Sequence, residues 1–178
     1  ILANKMFYVA TDAADTNVTD DEAKQIKIQY LELITKGTDK NGRKINMEVS
    51  DKAKTYKRIK EMLKEAKKSE SFLDYAEANT DSSTSEATIG KDTKLLDKEA
   101  IDAAFSLKKG KMSNVIGGKT GYYIIYCVND NDEDATYARK EEIINERQTK
   151  MFKEKYAEWL SESKVDISNK FWDVFTIS

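Results

Sequence analysis

Apolar positions change period several times along this chain, and each change marks a structural element. Over Ser50–Lys68, Ala53, Tyr56, Ile59, Leu63 and Ala66 recur at spacings of three and four, with lysines and glutamates on the other face. That spacing predicts an amphipathic helix. Ile26–Ile34 (IKIQYLELI) alternates and is rich in β-branched and aromatic residues, which predicts a strand. Gly121–Val128 (GYYIIYCV) is apolar on both faces, which predicts a strand inside a sheet. Val115-Ile116 reads as a short strand before a Gly117-Gly118 turn.

The remaining segments are set by end signals. Ile1–Ala14 is mildly amphipathic and predicts a helix end, with Asp15–Asp21 a polar turn and Thr19 or Asp20 a cap for the next element. Gly37–Asn46 carries an Asn-Gly signal and predicts an exposed loop. Ser71–Asn79 opens on Ser-x-x-Asp, a variant capping box, and predicts a short helix. Thr80–Thr88 reads as a Ser/Thr-rich loop, and Asp97–Leu107 as a helix capped by Asp97 and stopped at Lys109-Gly110-Lys111. Tyr137–Ser163 predicts a long helix with Ile144, Met151, Phe152, Tyr156, Trp159 and Leu160 on one stripe. In the tail, Val165 and Ile167 alternate, followed by Phe171, Trp172, Val174 and Phe175. No internal repeat is present. The order predicts an α+β fold: a small sheet flanked by helices, with helical extensions at both ends.

Composition narrows the function. With 178 residues, 35% charged and 39% apolar, the chain suits one domain, or a small domain with helical extensions, and long solvated helices. Its net charge of −2, with acids and bases interleaved, supplies no field for nucleic acid. No apolar run approaches the ~18 to 20 residues that span a bilayer. The first residue, Ile1, follows no signal peptide, which reads as a piece of something longer. Cys127 is alone, so no internal disulfide or thiolate cluster is expected. The chain has no proline and no histidine. Imidazole cannot serve as base, acid or metal ligand, and no metal or cofactor is expected. Nucleotide-binding glycine loops, CxxC pairs and GxSxG are absent. Asn129–Asp134 (NDNDED) lacks the Gly and terminal Glu of a calcium loop and reads as a solvated turn capping a helix.

The segment from Phe72 to Val128 carries the informative pieces. They are Phe72 and Ala76, the loop around Asp81, Ile89-Gly90, Ala104-Phe105-Ser106-Leu107, Gly110, Ser113, Val115 and Gly121-Tyr122-Tyr123-Ile124-Ile125. In this order and spacing they resemble the parvulin-type peptidyl-prolyl isomerases. Ile26–Ile34 and the 50–68 helix fit that family's first strand and first helix, so the resemblance covers about residues 22–130. The flanking helices resemble the extracytoplasmic foldases of Gram-positive bacteria, in which such a domain is inserted into a chaperone domain built from both chain ends. The implied organisation is 1–21 as part of that frame, 22–130 as the isomerase-like domain, and 131–178 as the return to the frame. The implied partners are unfolded or proline-containing polypeptides. The implied location is outside the cytoplasm, with membrane attachment only through a lipid anchor elsewhere in the protein.

The resemblance also assigns a site. The first-strand histidine of the family falls at Gln29, the last-strand histidine at Tyr123, and the central Cys or Asp of the loop near Asp81. The proline-cradling positions fall at Ile89, Leu96 and, for the aromatic one, Ala100 or Ile101, with Phe105 beside them. Each has a plainer reading. Tyr123 shares a strand face with Ile125 and Cys127 and suits packing. Gln29 shares a face with Leu31 and Leu33. Asp81 suits a turn, Phe105 suits the core, and Ile89 and Leu96 suit groove or core equally. Prolyl isomerisation breaks no bond; its barrier of roughly 18 to 20 kcal/mol is amide resonance, and a catalyst need only favour the twisted amide. Losing both histidines and the aromatic floor predicts weak or absent catalysis with extended-chain binding retained.

Overall fold

The structure, a computed structural model, describes residues 2–38, 41 and 43–163. Two compact units divide the chain: Val18–Glu141, and Ile1–Asn17 together with Glu142–Ser178.

In the Val18–Glu141 unit, β1 (Ile26–Ile34) and β6 (Gly121–Asn129) form the inner pair of a four-stranded antiparallel sheet. The edges are β4 (Glu86–Ile89) beside β1 and β5 (Ile116–Gly117) beside β6. The pairing sets Tyr30 against Ile125, Leu31 against Ile124 and Glu32 against Tyr123. Because side chains alternate across a strand, this register gives the sheet two distinct apolar faces. On one face Ile26, Ile28, Tyr30, Tyr123 and Ile125 pack against Ala100, Ile101 and Ala104 of α5 (Lys98–Ser106), with Ile89 and Leu96. On the other, Leu31, Leu33 and Ile124 pack against Ile59, Met62 and Ala66 of α3 (Val49–Ala66) and Phe72 and Ala76 of α4 (Phe72–Asn79). Each fully buried aliphatic side chain contributes about 1.5–3 kcal/mol, so both faces hold the sheet between helices.

The capping signals act locally. Thr19 Oγ1 accepts from Glu22 N at the start of α2 (Asp20–Ala23), and Ser71 Oγ accepts from Asp74 N at the start of α4. After α5 the chain reverses at Gly110, whose φ of 77° suits glycine, and Gly110 N donates to Cys127 O.

Four differences from the sequence-based expectations have physical causes. The expected loop 37–46 contains a hairpin, β2 (Lys36–Thr38) paired with β3 (Lys44–Asn46), flanking the Asn-Gly signal. The expected Ser/Thr-rich loop 80–88 ends in β4, whose strand character comes from pairing with β1 rather than from its own alternation. Asp97 precedes α5 but makes no side-chain cap. The long helix, α6 (Glu133–Glu162), starts before Tyr137; Asp132 Oδ1 accepts from Ala135 N, and Glu133 and Asp134 occupy the first turn, where the helix dipole favours acids. The acidic turn 129–134 therefore serves α6 as a cap. The expected alternation at Val165 and Ile167, with Phe171, Trp172, Val174 and Phe175 after it, lies outside the described residues.

The second unit contains α1 (Leu2–Thr11) and most of α6. Phe7 and Phe152 meet at 5.3 Å, and Phe152 stacks on Tyr156 at 6.0 Å. Arg147 Nη1 donates to the backbone oxygens of Asp15 and Asn17 and to the Asp15 carboxylate.

Candidate functional site

On the α5 face of the sheet, two tyrosines lie in one apolar cluster. Tyr30 comes from β1 and Tyr123 from β6, and their exposures are 0% and 1%. A buried phenol needs partners for its hydroxyl, and both have them. Tyr30 OH lies 2.8 Å from Thr84 Oγ1 and 3.3 Å from Ser82 Oγ, in the loop before β4. Tyr123 OH sits among three oxygens: Glu32 Oε1 at 2.9 Å, Thr120 Oγ1 at 2.9 Å and Asp97 Oδ2 at 3.0 Å. Glu32 is Tyr123's cross-strand partner, and Thr120 stands just before β6.

Asp97 explains its missing cap through the same network. Its Oδ2 accepts from Thr120 N at 2.7 Å and Thr120 Oγ1 at 2.8 Å, tying the start of α5 to the β5–β6 turn. Gly118 is required in that turn, since a Cβ there would come 2.8 Å from Asp97 Cβ.

The electrostatics are governed by burial and proton supply. Burial pushes the Glu32 carboxyl up; the Tyr123 hydrogen bond opposes this, and Asp97 and Asp81 add repulsion. Burial also pushes Asp97 upward, but donation from Thr120 and Tyr123, with the Lys36 charge, outweighs it and leaves the carboxyl below its ordinary value. Tyr123 is held far above the ordinary phenol value, first by burial and then by the two neighbouring carboxylates, against the Thr120 hydrogen bond. The phenol has one proton to donate. With both carboxylates ionised, one of them faces only phenol lone pairs. A proton on Glu32 completes the chain from Glu32 to Tyr123 to Asp97.

The sequence-assigned residues divide. Tyr123, Ile89, Leu96 and Ile101 are buried in one cluster, and half-buried Phe105 packs against it. Leu96 and Ile101 are also the apolar part of an open hollow of about 360 Å³ that is otherwise lined by polar and charged side chains, among them Asp92, Asp97, Asp102 and Lys119. Asp81 is exposed and latches the end of β1: its N donates to Glu32 O at 2.8 Å, and its Oδ2 accepts from Ile34 N at 2.9 Å. Gln29 is not brought to Tyr123. It is paired with Tyr126 and donates to Glu86 Oε2 at 3.0 Å on the opposite sheet face. With a side-chain period of two, a displacement of one residue changes the face; the β1 residue on Tyr123's face is Tyr30. The sequence pattern alone did not single out Tyr30, Glu32 or the Asp97–Thr120 pair. Tyr30 and Glu32 stand in step with Ile26 and Ile28, a signal that was present. The Asp97–Thr120 contact carries no local signal.

Comparison with known proteins places this geometry in a family. Residues 38–129 match the family model described as the PPIC-type PPIASE domain, Rotamase. The foldase protein PrsA of Lactococcus lactis superposes with a TM-score of 0.52 at 18% identity, covering 96% of this chain and 62% of that one. A PpiC-type peptidyl-prolyl cis-trans isomerase domain superposes with a TM-score of 0.50 at 16% identity, covering 63% of this chain and 97% of that one. PrsA of Bacillus subtilis gives a TM-score of 0.43 at 20% identity, covering 97% of this chain and 66% of that one. At such identities the likeness is one of fold, and this chain spans less than two thirds of the L. lactis foldase. No curated protein matches the sequence. Since the family model covers more than half of the 178 residues, the chain belongs to the PPIC-type peptidyl-prolyl isomerase (rotamase) family.

Proposed function

We propose that this chain is a peptidyl-prolyl cis-trans isomerase and foldase that assists exported polypeptides, with an eroded active face. The observation that carries the reading is the α5 face itself. Leu96 and Ile101 are the apolar residues of an open, otherwise polar hollow, and they share a buried cluster with Tyr30 and Tyr123, whose hydroxyls are engaged. Apolar contact with a proline ring removes water from the prolyl amide and weakens its charge-separated resonance form. Catalysis beyond this requires a donor toward the prolyl nitrogen, and the two phenol hydroxyls are committed elsewhere. Asp81, Gln29 and Tyr123 accordingly act through structure: Asp81 holds the end of β1, Gln29 holds β4, and Tyr123 closes the cluster. Leu96 and Ile101, with Ile89 and Phe105 behind them, carry the ring contact.

We assign 22–130 to the isomerase-like domain and 1–21 with 131–178 to a chaperone-like frame; the division of the chain near residues 17 and 141 supports this. The family resemblance supports a place outside the cytoplasm of a Gram-positive bacterium, with any lipid anchor outside this chain. Among the described residues no helix is long and apolar enough to cross a membrane.

Exchange spectroscopy on a labelled X-Pro peptide tests the enzyme reading. Slow but measurable acceleration of cis–trans exchange is expected, and exchange no faster than without protein overturns it. The commitment of both buried phenols favours a second reading, a non-catalytic chaperone on the same scaffold. It predicts suppressed aggregation of an unfolding client without any exchange enhancement.

A further inference from the structure

We infer that α3 carries a second docking groove, on the sheet face opposite Tyr123, which takes an acidic segment of polypeptide bearing an apolar side chain. The groove is about 290 Å³ and lies between α3 and the segment leading to β5. Tyr56, Leu63 and Val115 give it apolar walls, and Asn114 completes the lining on the side of β5. Tyr56 is 44% exposed and leans on Tyr122 at 5.3 Å, so its ring is fixed on one side and open on the other.

The rim is of one sign. Lys60, Lys64 and Lys67 line it and no acid does. Lys60 and Lys64 stand one turn apart on α3, and Lys67, the residue that caps its end, follows three positions later. None has a carboxylate partner among the described residues, whereas Lys54 and Lys98 pair with Asp51 and Asp102. Lys60 instead lies 5.5 Å from the Tyr56 ring centre. Burying that apolar wall favours an apolar side chain, and three unpaired ammonium groups favour carboxylates flanking it.

Shape and charge choose among occupants. A hollow accepts a side chain, whereas an anionic bilayer offers a flat surface that reaches the lysines but not the walls. A nucleic acid needs a broad basic field, which a chain of net charge −2 lacks. The site lies on the α3 side of the sheet, away from Leu96 and Ile101, and goes beyond the isomerase reading; neither depends on the other.

The test is a fluorescein-labelled, proline-free peptide of glutamates around a central leucine, titrated into the full chain and followed by anisotropy. Saturable binding that weakens as salt is raised is expected. The charge-inverted peptide, with lysine for glutamate, is expected not to bind. Lys60→Gln/Lys64→Gln/Lys67→Gln is expected to weaken binding about tenfold, as the loss of three exposed ion pairs implies. Prolyl exchange is expected to be unchanged in that variant. Lys60→Glu/Lys64→Glu/Lys67→Glu, checked by circular dichroism for native fold, is expected to abolish binding. No saturable binding, or binding that survives the charge reversal, overturns the proposal. So does capture of phosphatidylglycerol vesicles or single-stranded DNA when the acidic peptide is not bound.

Discussion

Glu32 and Tyr123 face each other across the β1–β6 pair, with the phenol oxygen 2.9 Å from Glu32 Oε1 and 3.0 Å from Asp97 Oδ2. One hydroxyl thus serves two carboxylates of opposite tendency, Glu32 raised and Asp97 lowered. The sign of each determines what pH does. Glu32 binds its proton more tightly in the folded chain than the ordinary value of 4.5. Its favourable contribution is complete below that value and is lost as pH rises through the folded pKa. Asp97 works the other way: its contribution is present above 3.8 and disappears as pH falls through its depressed folded pKa. Glu32→Gln supplies an amide donor to Tyr123 without a titration. Its melting temperature is expected to exceed the native value at neutral pH and to lose the native decline between 4.5 and neutrality. Thermal melts across that range decide it; a variant less stable than the native chain at neutral pH sinks the proton-sharing account.

The two buried tyrosines are expected to differ in what their hydroxyls contribute. Tyr30→Phe removes a neutral bond to Thr84 Oγ1 and leaves two loop hydroxyls near solvent, costing about 0.5–1.5 kcal/mol. Tyr123→Phe leaves two carboxylates without their shared donor, costing about 1–3 kcal/mol at neutral pH and less in acid, where Glu32 gains a proton. Urea denaturation at two pH values measures both. Equal losses at both pH values for Tyr123→Phe contradict the arrangement.

Period and capping residues made β1, β6, α3, α4 and α5 readable in the sequence, because each depends mainly on its own side-chain pattern. β4 and the β2–β3 hairpin were hidden, since a three- or four-residue strand takes its shape from the strand beside it. Tyr123, Ile89, Leu96 and Ile101, picked out by the order of their pieces along the chain, share one buried cluster. Gln29 stands one residue from Tyr30, which in a strand is the whole distance between faces, and so it lies apart from that cluster. Asp97 shows a further limit. A residue before a helix reads as a cap, and only the β5–β6 turn, 23 residues away, draws its carboxylate elsewhere.

Ile101 tests how much of the assigned groove is core. It is 7% exposed, packs in the Tyr30–Tyr123 cluster and also borders the open hollow. Ile101→Ala is expected to cost about 2–4 kcal/mol through lost transfer energy and a residual cavity. Any prolyl exchange is expected to fall as well, because the ring loses its wall. Ile101→Val keeps most of the volume and is expected to cost about 0.5–1.5 kcal/mol. If denaturant midpoints barely move for Ile101→Ala, the side chain is groove and not core.

The Asp97–Thr120 tie gives the sharpest structural prediction because two changes, distant in sequence, should act on one contact. Asp97→Asn keeps an acceptor oxygen for Thr120 N but loses the charge that strengthens this bond and the one from Tyr123. A loss of about 1–2 kcal/mol is expected. Gly118→Ala places a methyl group against the Asp97 side chain and forces the carboxylate off Thr120, for a loss of similar size. Since both act through one pair of bonds, the double variant is expected to lose clearly less than the sum of the single losses. A double-mutant cycle in urea measures this directly. Strict additivity shows that Gly118 is needed for its own turn and not to make room for Asp97.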